Sequence, residues 1–214
     1  MRLYIGNKNL SSWSMRAWLV CTAFDLPFEE VLVRFSGLDL AENTFTQTMQ
    51  KLNGNGKVPA LVHEDRVIWD SLAICEYLAE LFPDQALWPE DRGLRARARS
   101  MSAEMHSSFV SLRSKCPMNI VADFAHEGQA LWSSSAELRQ DVQRIEQIWA
   151  ERPQPEGFLC GNFSIADAFY APVVCRFKSY QLPVNSASVQ YMNTVLAHPA
   201  VQLWIQGAMA ETAI

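Results

Sequence analysis

The feature that most constrains the fold of this 214-residue chain is a single change of hydrophobic pattern near residue 83. Before it, short stretches that alternate apolar and polar residues, typical of strands, are interspersed with stretches of helical periodicity. After Phe82-Pro83-Asp84 the strand patterns stop, and helical periodicity continues along the chain. The sequence therefore predicts two domains, residues 1–83 and residues 90–214, connected through Leu87-Trp88-Pro89-Glu90-Asp91.

The first domain is predicted to be a small mixed sheet with helices, in the order β-α-β-(α)-β-β-α. Residues 36–50 fit a loop, with or without one helix. Four strands in this order are typical of a thioredoxin-like unit. The predicted strands are Arg2–Gly6, Phe28–Phe35, Val58–His63 and Val67–Trp69, and the predicted helices are Ser14–Phe24 and Ser71–Phe82.

The second domain is predicted to be all-helical, which makes the chain an α+β protein. Its first helix is expected to be long, because the apolar stripe continues until Pro117 ends it. Two pairs of residues have the spacing of a capping box, Ser134 with Glu137 and Ser164 with Asp167. The predicted helices include Arg92–Lys115, one after Ser134, Ile165–Phe177, Ser188–Ala197 and Pro199–Ala210.

Composition excludes several classes of function. Hydrophobic residues make up 49% of the chain, the net charge is −5, and there is no block of lysine or arginine, so we expect no nucleic-acid or membrane partner. No secretory signal is visible, and the longest apolar run, Ala17–Phe24, is too short to span a bilayer. We therefore expect a cytoplasmic protein. The five cysteines lack a CxxC pair and the four histidines lack metal-ligand spacing, so no metal is expected.

The segment Asn9–Arg16, at the start of the first predicted helix, carries three serines, Ser11, Ser12 and Ser14. These serines can act simply as helix caps. They can also have a chemical role, because a helix N-terminus favours negative charge through its dipole and its free N–H groups. A serine hydroxyl placed there can donate to a bound thiolate and lower the pKa of that thiol from its usual ~8.5.

Two further segments offer groups that bind a peptide. Lys57-Val58-Pro59 lies at the start of a predicted strand, and proline there can simply mark the boundary between a loop and the strand. If the Val58–Pro59 bond is cis, the backbone of Val58 can pair with an extended peptide. Asp70-Ser71 begins a helix, either as a plain cap or as a site where Ser71 holds a carboxylate and Asp70 an ammonium group. Together the three segments suit a small peptide that bears a thiol, a carboxylate and an amine.

At this point the chain resembles the cytosolic glutathione transferases over essentially its whole length. The serine segment is similar to the SSCS motif of the zeta class, the maleylacetoacetate isomerases. Trp13 stands where that motif has cysteine, and Asp70 stands where many relatives have Glu or Gln. The segments that carry the resemblance are SSWSMR, KVPAL, DSLAICEYLAE, LWPEDRGLRARA and FSIADAFYAPV.

The resemblance implies a binding site for glutathione as co-substrate and a separate pocket for an electrophile. It implies that Ser11, or else Ser12, activates the thiolate, that Lys57, Val58, Pro59, Asp70 and Ser71 hold glutathione, and that the protein is a homodimer. For the electrophile pocket, spacing on the first helix of the second domain points to His106 and Arg113, with Trp13 as an apolar wall. The expected activity is conjugation; the alternatives are a glutathione-dependent isomerase, a peroxidase and a non-catalytic binding module.

Overall fold

The computed structural model of this chain describes residues 1–35, 44–53 and 55–212. Its first part contains one four-stranded sheet, and its second part is helical. The strands follow the order β2-β1-β3-β4, in which β1 is parallel to β2 and antiparallel to β3, and β4 is antiparallel to β3. The strands are β1 (Arg2–Ile5), β2 (Glu29–Leu32), β3 (Ala60–His63) and β4 (Arg66–Trp69).

Three helices accompany this sheet: α1 (Ser12–Ala23), α2 (Thr44–Asn53) and α3 (Ser71–Leu81). The four strands begin and end within a few residues of their predicted limits. The sequence left open whether residues 36–50 contain a helix, and α2 shows that residues 44–50 are helical. Residues 36–43, also part of that question, lie outside the described residues. The mixed four-stranded sheet with a helical second part confirms the predicted α+β fold class.

The second part consists of helices and the segments that connect them. The described helices there are α4 (Arg92–Ser107), α5 (Val110–Lys115), α6 (Ala125–Ser134), α7 (Ala136–Ala150), α8 (Ile165–Ser179), α9 (Ser186–Ala197) and α10 (Pro199–Thr212). Helix α8 lies at the centre, with nearly all of its residues buried, and packs against both α1 and α4. It therefore joins the helical part to the helix that carries the serine segment.

The prediction of one long helix over Arg92–Lys115 is wrong. The helix is interrupted at Ser108 and Phe109, where Phe109 adopts a left-handed conformation with φ 57°. The first turn of α5 is then capped from a distance, because the Asp141 carboxylate of α7 accepts a hydrogen bond of 2.9 Å from the Leu112 N–H. The interruption places Arg113 on the short helix α5, where its Nη1 donates to the His106 carbonyl at 3.2 Å.

The prediction of a capping box at Ser134 and Glu137 is also wrong. Ser134 is the last residue of α6, and its hydroxyl donates to the Ala130 carbonyl at 2.8 Å. The residue that caps α7 is Ser135, whose Oγ accepts from the Leu138 N–H at 3.2 Å. The second predicted box is confirmed, since the Asp167 carboxylate accepts from the Ser164 N–H at 3.0 Å at the start of α8.

Across the described residues, no helix combines the length and the hydropathy that a bilayer crossing requires. The same part of the chain contains no group of three or more His, Cys, Asp or Glu side chains arranged to hold a metal ion. All five cysteines are buried and unpaired.

Candidate functional site

A cavity of about 760 Å³ lies where the serine segment, the turn before β3 and the start of α3 meet, with one side chain from α5 beside them. Nine of the ten predicted site residues line it. The tenth, His106, contacts two of those nine. The predicted residues that line the cavity are Ser11, Ser12, Trp13, Lys57, Val58, Pro59, Asp70, Ser71 and Arg113.

The backbone before α1 is held in place by the helical part of the chain. The N–H groups of Lys8 and Asn9 donate to the Glu211 carboxylate of α10, at 2.9 and 3.3 Å. The Asn9 side-chain oxygen accepts from the backbone N–H groups of Ile120 and Val121, at 2.7 and 3.1 Å. These long-range contacts fix the position of the serines that follow.

Ser11 is the N-cap of α1, which agrees with the hypothesis that the serines of this segment act as helix caps. Its Oγ accepts from the Ser14 N–H at 3.4 Å and lies 2.7 Å from the Ser14 Oγ. Ser14 Oγ in turn accepts from the Gly6 N–H at 3.1 Å. The hydroxyl of Ser11 therefore borders the cavity while it takes part in the hydrogen bonds that start the helix.

Residues 57–59 and 69–71 form another part of the cavity wall. The Val58–Pro59 peptide bond is cis, which is the condition under which the sequence analysis expects the Val58 backbone to pair with a peptide. Ser71 is fully buried, and its Oγ has no hydrogen-bond partner among the described residues. A buried hydroxyl without a partner is costly, so this group is suited to a ligand that enters the cavity.

Asp70 uses its two carboxylate oxygens differently. Oδ1 caps α3 by accepting from the Leu72 and Ala73 N–H groups, at 2.8 and 3.3 Å. Oδ2 lies 3.2 Å from Nε2 of His106, which belongs to α4. Asp70 therefore both starts the helix and connects the two parts of the chain, and its second oxygen remains beside the cavity as an acceptor for a cation.

Several positive charges surround Trp13. The guanidinium of Arg16 lies 4.4 Å from the centre of the Trp13 ring and 4.7 Å from that of Phe169, and the guanidinium of Arg113 lies 4.7 Å from Trp13. Arg16 is 1% exposed, and neither Nε nor Nη1 of it has a hydrogen-bond partner in the described part of the chain. Burial, then the charges of Arg176 and Arg113, lower the pKa of Arg16 to about 9.

The charges are unbalanced within this group. Arg16 interacts with two other guanidiniums, those of Arg113 and Arg176, and with one carboxylate, that of Asp70. Neighbouring cations in a buried place repel each other, and an anion placed among them relieves that repulsion. Of the three arginines only Arg113 lines the cavity, so a negatively charged ligand there would lie next to Arg113 and relieve part of this repulsion.

Sequence reasoning missed Arg16 and Arg176, which lie behind the cavity wall in contact with Trp13 and Ser12. Each was visible as a charged residue in or beside a predicted apolar helical stretch, Arg16 before Ala17–Phe24 and Arg176 within Ile165–Phe177. Arginine is almost never fully buried unless it has a specific partner or role. That mismatch between residue type and pattern is the signal that identifies them.

We predict that His106 makes the stability of the protein depend on pH. Burial is the largest cause that lowers the pKa of His106; Asp70 opposes it, and Arg16 and Arg113 add to it. A lowered pKa means that the fold favours the neutral imidazole over the charged one. The stabilising contribution is therefore present above the unfolded value of about 6.5 and is lost as the pH falls through the folded value.

The measurement is the free energy of unfolding in denaturant at pH 7.5 and at pH 5.5. Wild type should lose more stability on acidification than His106→Gln, which has no imidazole at this position. The substitution His126→Gln, at an exposed position, is the matched control and should keep the wild-type difference. Equal losses in wild type and His106→Gln would contradict the prediction.

Known proteins resemble this chain in sequence and in structure. Residues 10–81 match the glutathione S-transferase N-terminal domain, and residues 129–207 match the glutathione S-transferase C-terminal domain. The maleylacetoacetate isomerase of Pseudomonas aeruginosa is 30% identical over 206 residues, which is 94% of this chain and 93% of that protein. Glutathione S-transferase 1 of Dianthus caryophyllus is 29% identical over 175 residues, or 81% of this chain and 76% of that one.

Among solved structures, a glutathione transferase homolog from Burkholderia gl BGR1 with bound glutathione has the same fold. It superposes with a TM-score of 0.72 at 24% identity, over 98% of each chain. The fold and the cavity define a protein built from a thioredoxin-like sheet and a helical bundle that share one site. With these matches, the chain belongs to the glutathione S-transferase family. Family membership supports a glutathione-dependent enzyme, of the transferase or the isomerase kind.

Proposed function

We propose that this protein is a glutathione transferase that joins the sulfur of glutathione to a small electrophile bearing a carboxylate. The observation that carries the proposal is the shared cavity, in which the serines of α1, the Val58 backbone and the start of α3 are lined up beside Arg113. In this proposal residues 1–83 hold glutathione and residues 90–214 supply the electrophile pocket. We also propose, from family membership alone, that the protein is a homodimer.

The proposed roles follow from the chemistry of each group. Ser71, at the N-terminus of α3, donates its hydroxyl to a carboxylate of glutathione, because the buried O–H and the helix start both favour an anion. The Asp70 carboxylate, whose Oδ2 also contacts His106, attracts the ammonium group. Val58 offers its backbone to the peptide, with Lys57 and Pro59 on either side. A serine hydroxyl at the start of α1 donates to the thiolate.

The electrophile is proposed to bind near Trp13, Arg113 and His106. The excess of positive charge around Trp13 supports a substrate with a carboxylate, since a guanidinium pairs strongly with that group. In the reaction the thiolate forms a C–S bond with an unsaturated carbon. The π electrons move to the neighbouring carbon, which then takes a proton from solvent. Positive charge beside the carboxylate stabilises the negative charge that develops in this step.

An isomerase is the second candidate, favoured by the 30% identity with the maleylacetoacetate isomerase of Pseudomonas aeruginosa. The first step is the same in both reactions. In an isomerase the C–S bond breaks again after rotation about the carbon–carbon bond, so glutathione is regenerated. The two candidates therefore differ in whether free thiol is consumed.

The experiment supplies glutathione and a small cis-α,β-unsaturated acid, and follows the acid and the free thiol together. Loss of one thiol for each acid consumed supports the transferase, whereas a trans product with constant thiol supports the isomerase. No binding of glutathione at millimolar concentration in calorimetry would reject both.

We predict that Arg113 selects the carboxylate. Arg113→Met should lower kcat/KM for the acid about tenfold, because one charge-assisted contact is lost. The methyl ester of the same acid should react equally well with wild type and variant. Arg92→Met, which removes a charge from the exposed start of α4, is the matched control and should not discriminate acid from ester. An equal effect of Arg113→Met on acid and ester would contradict this role.

A further inference from the structure

Ser11 and Ser12 are adjacent and both line the cavity, but their hydroxyls have different partners. The Ser11 Oγ caps α1 and shares a 2.7 Å hydrogen bond with the Ser14 Oγ. The Ser12 Oγ instead accepts a hydrogen bond of 3.1 Å from Nη2 of Arg176, a residue of α8. The first hydroxyl thus belongs to the start of its own helix, and the second is bound to a cation from the helical part.

The contact with Arg176 determines where the Ser12 proton points. A guanidinium donates and cannot accept, so the Ser12 oxygen is the acceptor in this pair and its O–H is directed elsewhere. Among the residues that the structure describes, none accepts from that O–H. Ser12 is 7% exposed and lines the cavity, so a ligand there is in a position to take the hydrogen bond.

Arg176 is rigidly held. It is 5% exposed, its Nε donates to the Cys116 carbonyl at 2.9 Å, and its Nη1 donates to the Pro172 carbonyl at 3.4 Å. Burial is the main cause that lowers the pKa of Arg176, to about 10, so the group stays protonated at neutral pH. A fixed positive charge therefore lies directly behind the Ser12 hydroxyl.

We infer that Ser12, rather than Ser11, donates to the sulfur of bound glutathione, and that Arg176 is the residue that positions and polarises it. The inference rests on the proposed function, because it concerns the same bound thiol. When the thiol ionises, its S–H proton leaves to solvent and the Ser12 O–H bond stays intact. A hydroxyl whose oxygen accepts from a cation is a stronger donor, since successive hydrogen bonds polarise one another.

The test measures the pKa of the thiol of bound glutathione from the ultraviolet absorbance of the thiolate as a function of pH. Wild type should hold that pKa well below the ordinary value of about 8.5. Ser12→Ala should bring it back toward that value, so that the thiolate fraction at pH 6.5 falls roughly tenfold. Ser11→Ala should change it less. A larger increase in Ser11→Ala than in Ser12→Ala would overturn the assignment.

Two substitutions test the role of Arg176: one removes its charge, and the other keeps the charge but changes the shape of the side chain. Arg176→Met removes the charge and should raise the pKa of the bound thiol as Ser12→Ala does, and the double variant should add little to either. Arg176→Lys keeps a charge and should restore part of the effect, although it lacks the planar fork that reaches both Ser12 and Cys116. A merely structural role changes the melting temperature in both variants but does not separate their thiol pKa values. If Arg176→Met does not fold, Ser12→Ala and Arg176→Lys still decide the question.

Calorimetry with glutathione, together with the thiol titration, distinguishes failure of the proposed function from failure of the inference about Ser12. If wild type binds no glutathione at millimolar concentration, the proposed function fails and the inference fails with it. If wild type binds glutathione with a lowered thiol pKa and Ser12→Ala leaves that pKa unchanged, only the inference fails. If wild type binds glutathione without lowering the thiol pKa, binding stands and the role of Ser12 is rejected.

Discussion

Replacing Ser71 with alanine should weaken glutathione binding roughly 10- to 100-fold, the loss typical of one hydrogen bond to a charged group. The Ser71 hydroxyl is fully buried at the cavity wall and has no hydrogen-bond partner among the described residues. In the proposed function a carboxylate of glutathione at the start of α3 supplies that missing partner. Because the hydroxyl has no internal bond to lose, the variant should remain as stable as wild type, so the effect falls on binding alone.

Ser102 provides a matched control for this substitution. It is also a fully buried serine whose Oγ has no partner in the described part of the chain, but it lies on α4 and does not line the cavity. Ser102→Ala should therefore bind glutathione as wild type does. The dissociation constants come from isothermal calorimetry on the three proteins. If Ser71→Ala and Ser102→Ala have the same affinity, Ser71 has no part in binding the ligand.

The interruption between α4 and α5 shows why helix limits were harder to predict than helices. The apolar positions Met105 and Leu112 keep helical spacing straight through the break, so the pattern predicts one continuous helix. The break depends on Phe109 in a left-handed conformation and on the Asp141 carboxylate, which reaches the Leu112 N–H from α7. A contact across 29 positions leaves no local signal in the sequence.

The incorrect capping box has a related cause. Ser133, Ser134 and Ser135 are consecutive, and the capping-box spacing of three positions before Glu137 selects Ser134. The preceding helix α6 was not predicted, and its last turn occupies Ser134. A neighbouring element therefore decides which of the serines is free to cap. Where no such competitor exists, as at Ser164 and Asp167, the same pattern gave the correct result.

The candidate site also has a part that local sequence pattern predicts and a part that depends on long-range packing. The part of the cavity lined by Ser11, Val58 and Ser71 was predictable, because these residues lie at the junctions of strands and helices. Such junctions are visible in the local sequence pattern. The cationic side was only partly predictable, because Arg16 and Arg176 lie on different helices and come together only through the packing of α1 against α8. Sequence spacing relates residues within one helix and carries no information about such a pair.

Asp167→Ala should have the largest effect on stability, lowering the free energy of unfolding by about 3 kcal/mol or more at pH 7. The Asp167 carboxylate is fully buried and accepts from the Leu159 and Ser164 N–H groups, at 2.9 and 3.0 Å. It also accepts from the hydroxyls of Ser164 and Tyr191, both at 3.1 Å. Alanine leaves these buried donors without a partner at the start of α8, the central helix that supports both α1 and Arg176.

The effect should also depend on pH, with a definite sign. Burial raises the pKa of Asp167 to about 6, against the opposing effect of its hydrogen bonds. Because the folded value lies above the unfolded value of about 3.9, the stabilising contribution is complete below pH 4 and is lost as the pH rises through about 6. The difference between wild type and Asp167→Ala should therefore be larger at pH 4 than at pH 7.

Urea unfolding at the two pH values measures both expectations. Asp91→Ala is the matched control, since Asp91 caps α4 through a single bond of 2.8 Å from the Leu94 N–H at an exposed position. Loss of that cap should cost only about 1 kcal/mol. A cost for Asp167→Ala no greater than the cost for Asp91→Ala would show that α8 does not depend on the buried carboxylate. The position of Arg176 behind Ser12 would then need another support, because the same helix carries both Asp167 and Arg176.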